Sequence, residues 1–445
     1  MSTESESPSA HGARRKMGLW GATSIAVGTM IGASIFSIFG LGARIAGHNL
    51  PFVFVLSGVL ALLVAYSYAT LGSKIVSNAG PMEFVLRGIG DGLLAGTLSI
   101  LTWFTYVVSI ALFAKGFAGY FLPLVGLAGT SLDRALVEAG VIALFTGLGI
   151  LGSGAVGKAE FGIVLIKLGV LAVFIVLGIW TIHPAWIEPT LGGGHTRSTL
   201  DAMAVFFLSY MGFGLVTNAS EDMEHPERNV PRAIYLSIGI VTAVYVLVAV
   251  VAVGNLPLEA LDKAADYALA EAAKPFLGDV GYLLVSLGAL FSISSALNAT
   301  LFGGANIAYA LAREGQLPKV FERKLWFGAS EGLYLTSGIG IALALVLSLG
   351  GIASITSAVF MAIYVFVLIS HLRLAGQYGG SRVIVWIALV TVLAVFALLM
   401  IYQWRTNRGA FYGTWIAFGT AFLVEAAYRR ATDRTLQLRR RHRPA

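Results

Sequence analysis

Two stretches of the chain put glycine and hydroxyl residues in the middle of long apolar runs. The first is GTMIGASIF, with Gly28, Thr29, Gly32 and Ser34. The second is FFLSYMGFG, with Ser209, Gly212 and Gly214. A third run, FGIVLIKLGVLAVFIVLG, carries one lysine, Lys167, among aliphatic residues. Glycine weakens a helix, and an interrupted helix frees backbone N–H and C=O groups. Freed N–H groups at the start of a half-helix attract a carboxylate. Freed carbonyls at the facing end attract an ammonium. A small zwitterion satisfies both. Lys167 stands roughly eight residues inside its run, too deep to reach water easily by extending its side chain. A lysine held in such a place is a candidate proton carrier.

The elements that hold these residues are membrane helices. The chain has 445 residues, of which 57% are apolar and only 12% charged. Mean hydropathy is +0.82, whereas a soluble domain is about a quarter charged. Apolar runs of about 20 residues match the thickness of a bilayer as helices. They are too long for the strands of a membrane barrel. The fold class is therefore an all-α polytopic membrane protein.

Twelve spans are predicted, over 18–46, 51–71, 92–121, 134–152, 159–182, 200–219, 231–254, 277–311, 333–350, 352–372, 382–403 and 410–428. The ninth and tenth are divided at Gly350-Gly351. Loops on the side of the two tails carry 21 of the 30 lysines and arginines, against 7 on the other side. That asymmetry places both termini in the cytoplasm. The segment 1–16 reads as a cytoplasmic tail without a cleavable signal, and 429–445 as a basic tail facing anionic lipid headgroups. Residues 17–182 form a first group of five spans and 200–372 a second. Spans eleven and twelve, 382–428, are peripheral.

Gly32 and Gly212 lie 180 residues apart, in the spans that open each group of five. Matched interruptions of this kind point to a carrier with an inverted repeat and a mid-membrane site. Irregular backbone at that depth is tolerated only where it is buried or lines a cavity. Two other readings stay open. Gly28-xxx-Gly32 also fits a small-xxx-small packing face. Lys167 could extend toward the cytoplasmic interface, as Lys115 in ALFAKGFAGYF is expected to extend toward the external one.

Several chemistries are excluded. Cysteine is absent, so disulfides, thiolate metal sites and a cysteine nucleophile are ruled out. The seven histidines fall in tails, loops or span ends, with no paired-ligand spacing. No enzyme, metal or cofactor is expected. The basic pI near 9.5 is assigned to lipid rather than to nucleic acid. The spans hold almost no acid, because Asp201, Glu221 and Asp222 flank span six. A cationic ligand would need one, so a neutral amino acid is favoured. A selectivity filter of repeated carbonyls or acidic rings is not apparent, which disfavours a channel.

Four motifs, in order, carry a resemblance. They are GTMIGASIF, SYATLGSKIVSNAGPMEFV (67–85), FFLSYMGFGLVTNASEDMEHPERNVPRAI (206–234) and FSISSALNATLFGGANIAYALAREGQLP (291–318). Together they resemble the amino acid–polyamine–organocation transporter superfamily along nearly the whole of the first ten spans. The resemblance implies a fold of five plus five helices of inverted topology, with discontinuous spans one and six. It implies a substrate site made by Met30, Ile31, Gly32, Ala33, Ser34, Phe207, Leu208, Ser209, Met211 and Gly212. Backbone N–H groups of Gly32, Ala33 and Ser34 would hold the carboxylate, and carbonyls near Met30, Leu208, Ser209 and Met211 the amino group.

Lys167 matches a lysine that in some members replaces a sodium ion. It would contact Gly28 and the hydroxyls of Ser294 and Ser295. The implied activity is proton-coupled uptake of amino acids through the cytoplasmic membrane of a prokaryote by alternating access. Exchange without net proton movement is the alternative. The partners are an amino acid, protons and membrane lipid. Four departures bear on the substrate. Ser34 stands where the family has glycine, and its β-carbon narrows the carboxylate pocket. Leu208 replaces an aromatic, so either Phe207 occludes the site or the gate is thinner. Gly214 replaces an acid. Ala305-Asn306 replaces a serine–arginine pair.

Overall fold

The computed structural model of the chain describes residues 17–32, 34–77, 79–151, 156–190, 192, 194–313, 317, 321 and 331–432. The tail segments 1–16 and 433–445, and Ala33 of the implied site, lie outside the described residues. Among the described residues all regular structure is helical, apart from one isolated parallel bridge between Met17 and Met223. Among the described residues, ten helical stretches are long and apolar enough to cross a membrane. The chain is thus an all-helical polytopic membrane protein.

The first apolar run is broken into three pieces: α1 (Leu19–Met30), α2 (Ser34–Ser37) and α3 (Phe39–Ala46). It is followed by α4 (Leu50–Gly72), the short α5 (Pro81–Ile89) and the long α6 (Leu93–Leu124). Then come α7 (Ser131–Leu151) and α8 (Val156–Gly178). The sixth run is divided in the same way as the first. Helix α9 (Gly194–Phe206) tightens into a 3₁₀ stretch, Phe207–Gly214, before α10 (Leu215–Asn218). Helix α11 (Pro226–Asn255), the short α12 (Leu258–Ala264) and α13 (Ala268–Glu271), and α14 (Lys274–Arg313) follow. The last helices among the described residues are α15 (Glu331–Val346), α16 (Leu349–Tyr378), α17 (Arg382–Thr406) and α18 (Arg408–Thr432).

Helices α7 and α15 are not among the ten. Helix α7 carries Asp133, Arg134 and Glu138, and α15 has 16 residues. The division between α15 and α16 falls at Leu347-Ser348 rather than at Gly350-Gly351. Ser348 caps α16, its hydroxyl accepting from the Gly351 N–H at 3.2 Å. A side-chain cap outweighs the glycines, which sit in the first turn.

Glycines at positive φ shape two turns that matter here. Gly80 (φ 55°) starts α5, and a β-carbon there would collide with the Asn218 side chain. Gly379 (φ 75°) and Gly380 (φ 104°) fold the chain from α16 into α17 around His371. Helix α11 lies against α4 and α1, and α14 lies against α6 and α8. Helix α8 therefore touches both α1 and α14, which sets Lys167 between them.

Lys115 ends on an acid rather than running out to the interface. Its ammonium meets both carboxylate oxygens of Glu138 on α7, at 3.2 and 3.3 Å. Glu138 is 4% exposed. Both charges are drawn from water, and each has its partner.

Candidate functional site

The break in α1 is made by the backbone itself. The Ile31 N–H still reaches the Val27 carbonyl at 2.9 Å, but Gly32 turns back to Thr29 at 3.3 Å. The helix then restarts at Ser34. Gly212 of the 3₁₀ stretch packs directly on this break. A β-carbon at Gly212 would lie 2.9 Å from the Met30 nitrogen and 3.0 Å from the Ala26 carbonyl. Gly32 is equally close to α14, with 2.9 Å available to the Ala296 β-carbon. The glycines thus let two interrupted helices and α14 converge within backbone distance.

A cavity of about 600 Å³ opens beside the breaks. Gly28, Met30, Ser34, Leu208, Ser209, Met211 and Gly212 line it. It continues past Tyr68, Pro81 and Asn218, toward the end of the bundle that carries α5 and Met17. Leu208 is on its wall. Phe207 is fully buried and packs edge-on against Tyr364, with ring centres 5.6 Å apart. Ile31 is likewise fully buried.

Lys167 is 1% exposed, and its ammonium donates to the carbonyl of Gly28, one turn before the break. The hydroxyl that reaches the break from α14 belongs to Ser292. It donates to the carbonyls of Ile31 and Gly32, each at 3.2 Å. Ser294 and Ser295 stand half-buried just beyond it on the same helix.

Tyr245 on α11 is a participant that the motifs do not single out. Its hydroxyl donates to the Met30 carbonyl, shares a 2.8 Å hydrogen bond with Ser34 Oγ and lies 3.4 Å from the Ser209 carbonyl. Ser34 Oγ also lies 2.6 Å from the Met30 carbonyl. One hydroxyl from α11 therefore joins both interrupted spans. The available signal is a tyrosine in the middle of an aliphatic run, VTAVYVLVAV, where its hydroxyl must find a partner. Ser292 shares the hydroxyl-rich FSISSALNAT segment with Ser294 and Ser295, and the sequence does not say which of the three faces α1.

Comparison with known proteins places this geometry in a family. The chain is 58% identical over 421 residues to an uncharacterized protein of Methanocaldococcus jannaschii, covering 95% of this chain and 97% of the other. It is 33% identical over 397 residues to the inner membrane transport protein YbaT of Escherichia coli, covering 89% and 92%. It is 26% identical over 430 residues to the methylthioribose transporter of Bacillus subtilis, covering 91% and 92%. The family model described as amino acid permease matches residues 17–424. With interrupted helices around a central cavity and a match across almost its whole length, this chain belongs to the amino acid permease family of membrane transporters and is not an enzyme.

Proposed function

We propose that this protein carries neutral amino acids across the cytoplasmic membrane by alternating access, driven by protons. Twelve crossings, with both termini in the cytoplasm, accommodate the helices and the charge asymmetry of the loops. Residues 17–182 and 200–372 are the two five-helix halves related by inversion. With that orientation the cavity faces the cytoplasm. The substrate carboxylate sits against Gly32, Ala33 and Ser34, and its amino group against carbonyls of the 207–214 stretch.

The contact of Lys167 with Gly28 carries the reading of proton coupling. A buried ammonium on α8 ends on the interrupted α1 beside the cavity. Its protonation would decide whether that carbonyl has a cationic partner, and so whether α1 and α8 are held together. Ser294 and Ser295 complete the coupling site from α14. Amino acid transport is supported by family membership. Neutral specificity is supported by the cavity wall, where the described lining residues include no Asp, Glu, Lys, Arg or His.

Uptake of labelled alanine by the purified protein in liposomes tests this reading. Accumulation under an inward proton gradient is the expected result. Stimulation only by internal substrate would establish exchange. Absence of flux with any amino acid would overturn the proposal.

A further inference from the structure

The hydroxyls that line the cavity differ in what they have left to offer a ligand. On α6, Thr102, Thr105 and Ser109 follow one another at helical spacing and all line the cavity. Each directs its own proton to a backbone carbonyl: Thr102 to Leu98 at 2.8 Å, Thr105 to Thr102 at 2.6 Å, and Ser109 to Thr105 at 2.7 Å. What they retain is oxygen lone pairs, so they accept.

Two other lining hydroxyls have their protons uncommitted. Ser209 and Tyr364 also line the cavity, and their hydroxyl oxygens are buried without a hydrogen-bond partner. Burial of an unpaired hydroxyl is costly, and folded proteins rarely leave one. Tyr364 cannot turn away to solvent. Its ring stacks on Phe213 at 5.7 Å and meets Phe207 and Tyr68 edge-on, each at 5.6 Å. The ring is thus held on three sides while its hydroxyl keeps an uncommitted proton.

We propose that this cavity selects amino acids whose side chain is uncharged and both donates and accepts a hydrogen bond, a hydroxyl or a carboxamide. The inference rests on the reading of the chain as an amino acid carrier. A side-chain carboxylate accepts only and would leave the α6 oxygens unmatched. An ammonium donates only, and no acid among the described lining residues would balance it. An aliphatic chain would leave both Ser209 and Tyr364 unpaired.

Isosteric pairs test it: serine against 2-aminobutyrate, and glutamine against glutamate and methionine, each by initial uptake into liposomes. The wild-type protein is expected to favour serine over 2-aminobutyrate, and glutamine over both its counterparts, by about tenfold or more in kcat/KM. Tyr364→Phe keeps the ring and should collapse the serine to 2-aminobutyrate ratio toward one. Ser109→Ala, on α6, should lower the glutamine to methionine ratio independently. Equal uptake of the isosteres by wild type, or unchanged ratios in both variants, would overturn the selectivity while leaving amino acid transport standing. Failure of every amino acid, alanine included, would instead overturn the transport reading and this inference with it.

Discussion

Tyr245 on α11 donates its hydroxyl to the main-chain carbonyl of Met30, the last residue before the break in α1. The two residues are 215 apart in sequence. The same hydroxyl touches Ser34 beyond the break and approaches Ser209 in the other interrupted span. The Met30 carbonyl at the break is thus held by two side-chain hydroxyls, those of Tyr245 and Ser34. Substrate must reach the site in the presence of that tie. Tyr245→Phe retains the packing against Phe54 and Tyr210 but removes the bond. The variant is expected to lose about 1 kcal/mol of stability, read as a lower thermal midpoint in detergent, and to change KM for alanine. An unaltered midpoint and KM would show that the tie is idle.

Lys167→Ala removes the ammonium that meets Gly28. Accumulation driven by a pH gradient should disappear, while counterflow of labelled against unlabelled alanine persists at a reduced rate. Uptake in liposomes at several internal pH values distinguishes the two. Unchanged gradient-driven accumulation would return Lys167 to a purely structural role.

Ser34→Gly deletes a β-carbon and a hydroxyl from the cavity wall, and with them one of the two hydroxyls on Met30. The pocket should widen and admit bulkier amino acids. A competition profile against alanine uptake, extended from serine to leucine and phenylalanine, reads this directly. A profile identical to wild type would mean that residue 34 does not limit substrate size.

The glycines of the 3₁₀ stretch should not be equivalent. At Gly212 an added methyl meets backbone atoms at 2.9 and 3.0 Å, so the two interrupted spans would have to part. Gly212→Ala is expected to destabilise by roughly 1–3 kcal/mol and to reduce uptake severely. At Gly214 the nearest atom is a Tyr68 ring carbon at 3.4 Å, an ordinary contact. Gly214→Ala should fold with a thermal midpoint near that of wild type. Similar midpoints for both variants would contradict the close packing at Gly212.

The pair Lys115–Glu138 joins α6 to α7 away from the cavity. Lys115→Met alone leaves a buried carboxylate unmatched. The loss should be a few kcal/mol, below the roughly 3–5 kcal/mol of a wholly buried pair, because the lysine side chain is 17% exposed. Adding Glu138→Leu should restore most of the thermal midpoint. A double variant as unstable as the single one would argue against an unpaired charge as the cause.

The sequence alone determined what depends on short-range pattern. Hydropathy over about 20 residues decides whether a segment partitions into a bilayer, so the helices α4, α6, α8, α11, α16, α17 and α18 are legible in the order of residues. Glycine and serine in mid-span likewise mark the breaks after Met30 and Phe206, because helix continuity is a local property. The helix cap at Ser348 is local too, but it competes with the more visible glycines two residues on.

Tertiary structure decided which groups meet. Whether Met30 turns its carbonyl to Tyr245, whether Glu138 neutralises Lys115, and whether Ser292 or its neighbours reach Ile31 all depend on the rotation and depth of helices packed together. Those are set by the close approach of Gly212 to α1 and of Gly32 to α14, summed over many small contacts. No periodicity along one segment records the angle at which another segment lies against it.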